Sequence, residues 1–256
     1  LGKENTTISY SVLETHRDVP YPSFIAMRFD FTPSENFTFA LARADMIGGK
    51  GHMLDHGDYR RWFLGRNARG DDKWNSQAGG DFRWRLPRLG GIQLYGEIYG
   101  EDQYELTITP GPYRLAKIYG IYIPRLAADG SWEANFEIHQ TDPSWYTHST
   151  YTDGWVFRGN ILGDPIGNFA ESFYGKIVRY YANASSISLN FERVKMGRDN
   201  PAAQKIDSLW INYRRQIEKN LQLDLCAGYA NVDNQGFVAG TGGYNYVLGI
   251  NLTKRY

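Results

Sequence analysis

Twelve stretches of this 256-residue chain alternate apolar and polar residues with a period of two, and the connections between them alternate long and short. The stretches lie near 5–15, 24–32, 36–46, 78–87, 91–102, 113–124, 131–140, 169–181, 185–195, 206–217, 220–231 and 242–256. A period of two marks strands with two unlike faces. Read back from the C-terminus, 232–241 is long, 218–220 tight, 196–205 long, 182–185 tight and 141–168 very long. Then 126–131 is tight, 103–112 long, 87–91 tight, 47–77 longest, 33–36 tight and 16–23 intermediate. Antiparallel neighbours joined in this way carry every long connection at one end and every tight turn at the other. A soluble sandwich has no reason to sort its loops so. A barrel crossing a bacterial outer membrane does, with short periplasmic turns and long external loops.

The faces agree with that reading. Ile92, Leu94 and Ile98 alternate with Gln93, Tyr95, Glu97, Tyr99 and Glu101, and Phe82, Trp84 and Leu86 with Asp81, Arg83 and Arg85. Strands 113–124 and 169–181 are less regular, because Lys117, Lys176 and Arg179 spoil one register or the other. A lipid-facing strand needs every backbone group paired, so such a sheet must close on itself. The expectation is an all-β chain, one domain over residues 1–256. It is a transmembrane, antiparallel, up-and-down β-barrel of about twelve strands in the bacterial outer membrane, with lipid as its surroundings. The last stretch, GYNYVLGINLTKRY, then descends so that the C-terminus is periplasmic and Tyr256 joins the interfacial aromatic belt. Aromatics make up 15% of the chain, which suits such belts.

Charge and cysteine usage exclude other classes. The 28 basic and 28 acidic residues balance, so nothing pulls on nucleic acid. Mean hydropathy is −0.51, and no run of apolar residues is long enough for a spanning helix. The lone Cys226 allows no internal disulfide. No phosphate-binding loop or haem motif is present, and no cofactor is implied.

Twelve strands ~4.8 Å apart and tilted ~40° enclose a cylinder roughly 24 Å across. The side chains expected to line it are Arg28, Asp30, Arg83, Arg85, Glu97, Glu101, Glu133, Glu137, Glu192, Arg214 and Asp224. Their mixed signs favour pairing that braces the wall; the functional alternative is a charged constriction that filters small solutes.

Two stretches carry a family resemblance: GDFRWRLPRLGGIQLYGEIYGEDQ (80–103) and YTDGWVFRGNILGDPIGN (151–168). Both resemble the Wzi-type capsule assembly proteins of Gram-negative outer membranes, over a span from about residue 24 to the C-terminus. The resemblance implies a lectin-like barrel that binds or anchors capsular or exopolysaccharide without catalysis. It also implies eighteen strands preceded by a small helical bundle. Twelve strands and no bundle are legible here, and the start at Leu1, already within a strand, points to a missing N-terminal part. The alternative function is a porin or solute channel with a mixed-charge lumen. A third is a sleeve around another envelope protein.

The two longest loops, about 47–77 and 141–168, hold four of the seven tryptophans: Trp62, Trp74, Trp145 and Trp155. Asp142, Tyr146, His148 and Tyr151 accompany them, with Tyr59, Arg60 and Arg61 beside Trp62. Aromatic planes cover the C–H face of a sugar, and carboxylates and guanidinium groups meet its hydroxyls. These loop residues are the candidate polysaccharide contacts; the plainer reading is that the aromatics pack the loops together as a lid. His52 and His56 would share a face on one helical turn and suit a divalent metal. Gly57 breaks that run and no third ligand follows, so a solvated polar loop is expected and no metal. His139 beside Glu137 lacks a serine elbow, so no enzyme is expected.

Overall fold

The computed structural model describes residues 2–66, 72–101 and 115–255. Its elements are β1 (Lys3–Val12), β2 (Ser23–Ser34), β3 (Phe37–Ile47), α1 (His56–Phe63), β4 (Trp74–Leu86), β5 (Ile92–Glu101), β6 (Leu115–Ile123) and β7 (Trp132–Thr141). They continue with β8 (Val156–Phe157), β9 (Asn160–Ile161), β10 (Ala170–Tyr180), β11 (Ser185–Met196), β12 (Gln204–Glu218), β13 (Leu221–Asp233) and β14 (Gly242–Lys254). Twelve strands share one sheet in chain order, β1 through β7 and then β10 through β14, while β8 and β9 form a separate two-stranded hairpin.

All twelve expected strands are present. The largest boundary offset is four residues, at β4, which was expected from 78 and begins at Trp74. As a hydrogen-bonding order the sheet is a line beginning at β1 and ending at β14, where the sequence reading expects a ring. Tyr256 lies outside the described residues.

Two features of the long 47–77 stretch differ from expectation. Trp74 belongs to β4 rather than to a loop. A helix, α1, forms with Gly57 inside it. The cause is local: the Asp55 carboxylate accepts from Asp58 N at 2.7 Å and the Asp58 carboxylate from Asp55 N at 3.2 Å. This reciprocal cap satisfies donors that a helix start leaves orphaned, and offsets the cost of one glycine. His52 precedes the helix, so it does not share a helical turn with His56.

The chain divides into two compact units. The first is Leu1–Arg83, Gly96–Lys117 and Gln140–Phe169; the second is Trp84–Tyr95, Ile118–His139 and Ala170–Tyr256.

In the second unit, register sorts the faces. Ile187, Leu189 and Phe191 of β11 oppose Tyr213, Ile211 and Leu209 of β12. Those oppose Leu225, Ala227 and Tyr229 of β13, which oppose Ile250, Leu248 and Tyr246 of β14. Leu248 is 85% exposed and Ile250 81%. A contiguous apolar face of this extent is not a surface for water. It ends in polar groups on both sides. At the loop end Arg193 meets Asp207 through two bonds, 2.6 and 3.0 Å. At the turn end Arg179 stands over Trp132 (5.3 Å) and Tyr181 (4.9 Å). This explains the irregularity at Arg179: the cation marks the edge of the band. Asp207 and Arg215 bound eight residue steps of β12, ~27 Å along the strand.

The opposite face is polar and internally paired. Tyr174 Oη donates to Asn190 Oδ1 (3.1 Å), and Arg214 meets Asp224 at 2.5 Å. Tyr95 Oη donates to Glu137 (2.5 Å), whose other oxygen lies 3.3 Å from His139 Nε2, and Tyr122 Oη donates to Glu133 (2.7 Å).

The first unit repeats the pattern. Ile8 and Tyr10 oppose Met27 and Ile25 on the apolar face, and Phe31 stacks on Phe39 at 4.9 Å. On the polar face Arg28 meets Asp81 through two bonds (2.5 and 3.0 Å) and Asp30 through one (2.8 Å). Thr7, Ser9, Ala26, Ala42 and Ala44 leave a cavity of about 270 Å³ beside that cluster.

Candidate functional site

The long connections of the first unit, 13–22, 48–73 and 142–169, meet at the loop end of its strands. Their common core is Leu13, Val19, Met46 and Tyr151, with Phe24, Phe157 and Leu162 packed against it. Each anchoring group is a side chain that local sequence leaves ambiguous.

Glu101 closes β5 and is 3% exposed. One carboxylate oxygen accepts the Trp155 indole N–H at 2.9 Å, the other the backbone N–H of Tyr146 at 2.7 Å. A buried carboxylate is tolerable only when its oxygens are satisfied in this way. Arg17 is a second buried ion. Its guanidinium, with 1% of the side chain exposed, donates to the carbonyls of Gly154 (2.9 Å) and Val156 and pairs with Glu14 at 3.3 Å. The Tyr151 hydroxyl is shared between the carbonyls of Gly48 (2.9 Å) and Lys73 (2.6 Å). Burial pushes that phenol well above its ordinary pKa, so it remains a donor. His148 Nδ1 accepts from the backbone of Thr150 (3.1 Å) and Tyr151 (3.2 Å), and Nε2 lies 3.1 Å from Asp72.

The structure gives each sequence candidate a definite place. Trp145, Tyr151 and Trp155 are 2%, 1% and 1% exposed, so protein already occupies their ring faces. Asp142 Oδ2 accepts from Leu115 N at 2.8 Å and ties strand ends together. Tyr146 packs on Trp145 at 5.3 Å and accepts from Asp164 N through its hydroxyl at 2.5 Å. Burial raises its pKa. Glu101, expected to line a bore, anchors the loop instead. Trp62 lies on α1, beneath the Arg43 guanidinium, and Trp74 is 6% exposed at the start of β4. Of the other bore candidates, Arg28 with Asp30, Asp224, Glu133 and Glu137 are held in the pairs described above. Alternation places Arg83 beside Asp81, Arg85 beyond it, and Glu97 beside Tyr99 on the same strand faces.

The groups left at the surface of the loop are different ones. The β8–β9 hairpin turns through Arg158 (φ 49°) and Gly159 (φ 79°), the left-handed pair that a two-residue hairpin needs. Arg158 is exposed and lies over Phe157 at 5.1 Å, and Asn160 is exposed beside it. With Thr152 and Asp153 they form a polar rim with one aromatic plane. Sequence reasoning missed them; the only local signal is the small RGN turn inside an aromatic-rich segment.

Residues 1–245 match the family model described as capsule assembly protein Wzi. No curated protein matches the chain. Among solved structures, Wzi of Escherichia coli, an outer-membrane protein involved in group 1 capsule assembly and described as a carbohydrate-binding β-barrel, matches at 22% identity with a TM-score of 0.73. The match covers 96% of this chain and 55% of that one, so the chain spans about half the length of that protein. The likeness is one of fold.

Proposed function

Because this chain belongs to the Wzi capsule assembly family, we propose that it binds and anchors capsular polysaccharide at the surface of a Gram-negative outer membrane, with no chemistry of its own. In this reading the strands close with their apolar face to lipid, the C-terminus is periplasmic, and the external loops meet the polymer. The observation that carries the proposal is the division of labour in the 142–169 loop. Its large rings and two buried ions, Glu101 and Arg17, hold it rigid, while Arg158 and Asn160 stay exposed beside the half-buried Phe157. A preorganised polar rim loses little entropy when it meets a sugar. Each contact is weak, and a repeating polymer sums many of them. The paired ions of the polar strand face act as wall braces.

The test is retention of purified capsular polymer on immobilised full-length protein. Replacing Arg158 and Asn160 together by Ala should weaken retention about tenfold, as expected for two hydrogen bonds lost at a partly wet surface. Unchanged retention would remove the hairpin from the site. Absent retention by the native protein, together with a stable bilayer current blocked by small sugars, would replace the anchor with a solute channel.

A further inference from the structure

The connection that carries α1 lies against the outer wall of the sheet, and the register shows it. Leu41 opposes Phe29, Arg43 opposes Met27 and Asp45 opposes Ile25. Met27 and Ile25 in turn oppose Ile8 and Tyr10, so Arg43 and Asp45 stand on the apolar face. Along that face of β3 exposure collapses toward the loop end: Leu41 is 55% exposed, Asp45 0% and Ile47 3%. Helix α1 meets this face at Arg43. Trp62 lies under Arg43, 5.4 Å from guanidinium to ring centroid. Arg43 grips Asp45 through two nitrogens (2.9 and 2.8 Å), and Ser76 donates to the same oxygen. Lys73 Nζ meets Asp58 of α1 at 2.7 Å and fixes the start of the helix to β4. Bare ions on a lipid-facing wall are costly; the indole shields these.

The other side of the segment is apolar and uncovered. Tyr59 and Phe63 are one helical turn apart and 52% and 72% exposed; Leu64 (53%) and Met53 (83%) extend the patch. Arg60 and Arg66 are exposed beside it. A short helix with large apolar groups, flanking arginines and an apolar wall directly below has the make-up of an element that lies in a bilayer interface.

We propose that residues 51–66 form an interfacial anchor in the outer leaflet. Tyr59, Phe63 and Leu64 enter the acyl layer, continuous with the lipid-facing wall, and Arg60 and Arg66 take the phosphates of the lipid headgroups. The occupant is thus anionic lipid. The anchor fixes the height of the loop cluster above the membrane, since Tyr151 bonds the carbonyls at both ends of this connection. The inference rests on the membrane reading of the sheet.

The experiment places a nitroxide on single cysteines of full-length protein in a Cys226→Ser background, reconstituted in phosphatidylcholine vesicles with and without phosphatidylglycerol. Oxygen, which partitions into lipid, and a water-soluble nickel chelate relax the label competitively. A label at Phe63→Cys should favour oxygen severalfold over nickel, as at Leu41→Cys in the wall, while Asp199→Cys in an external loop shows the reverse. Adding Arg60→Gln and Arg66→Gln should erase the gain that phosphatidylglycerol gives at position 63. A position-63 label as open to nickel as position 199, with Leu41 still in lipid, overturns the anchor and leaves this face to a water-borne partner. Loss of the oxygen preference at Leu41 as well overturns the membrane reading with it. A response to phosphatidylglycerol that survives the double Gln change overturns the phosphate assignment.

Discussion

Replacing Trp155 by Ala tests whether the buried rings hold the 142–169 loop or merely occupy it. The indole is 1% exposed, stacks edge-on to Phe24 at 6.0 Å and donates to Glu101 at 2.9 Å. Truncating a fully buried Trp costs about 3–5 kcal/mol through lost transfer free energy and the cavity left behind. At about 1.4 kcal/mol per factor of ten, local opening should become roughly 10²- to 10³-fold more frequent. Trp155→Phe keeps most of the volume but removes the indole donation to the charged Glu101, a loss of about 1.5–3 kcal/mol, or roughly ten- to 10²-fold. Amide hydrogen exchange reads the difference segment by segment. Peptides from 142–169 should exchange faster in the order native, Phe, Ala. Peptides from β12, in the other compact unit, should be unchanged. If the Ala variant exchanges in 142–169 within about threefold of native, the ring carries no local stability and the account of a rigid loop fails. If β12 accelerates equally, the loop is not an independent opening unit and the arithmetic does not apply.

Two further outcomes follow from the same geometry. Gly154 has φ 66°, and a Cβ there would stand 2.1 Å from the Tyr146 carbonyl oxygen, a backbone atom that no rotamer change can move; Gly154→Ala should destabilise the loop by at least about 2 kcal/mol, read as earlier proteolytic cleavage within 142–169. Asp58 is held below its ordinary pKa, first by the Lys73 ammonium and then by the Asp55 backbone N–H. The unfolded state therefore takes up its proton first as pH falls. The contribution is intact above the ordinary carboxylate value of about 3.9 and is lost as pH drops through the lowered one. A spin label on α1 should gain mobility on acidification below that value, and Asp58→Asn should gain it already at neutral pH.

How much of this was legible in the chain depends on whether the deciding contact was local. The lid reading of the loop aromatics was the plainer one, and burial of Trp145, Tyr151 and Trp155 follows it. Trp74 falls in the 47–77 loop on the sequence reading; β4 nevertheless starts there, with Lys73 and Gly48 joined by a backbone hydrogen bond of 2.9 Å. Gly57 argues against a helix on the sequence reading, yet the Asp55–Asp58 cap is present in the sequence as D-x-x-D. That signal could have found it.

The sequence by itself determined the strands, their two faces and the side on which the long loops lie. These follow from covalent geometry: successive side chains of an extended chain point to opposite faces, so a period of two survives whatever the partners are. Only the tertiary structure decided which loop side chains became anchors and which stayed at the surface. Arg17 meets the Gly154 carbonyl 137 residues further on, and Glu101 meets Trp155 across 54. No local pattern encodes such a meeting. Whether an aromatic or an ion is buried depends on what arrives from elsewhere in the chain to satisfy it.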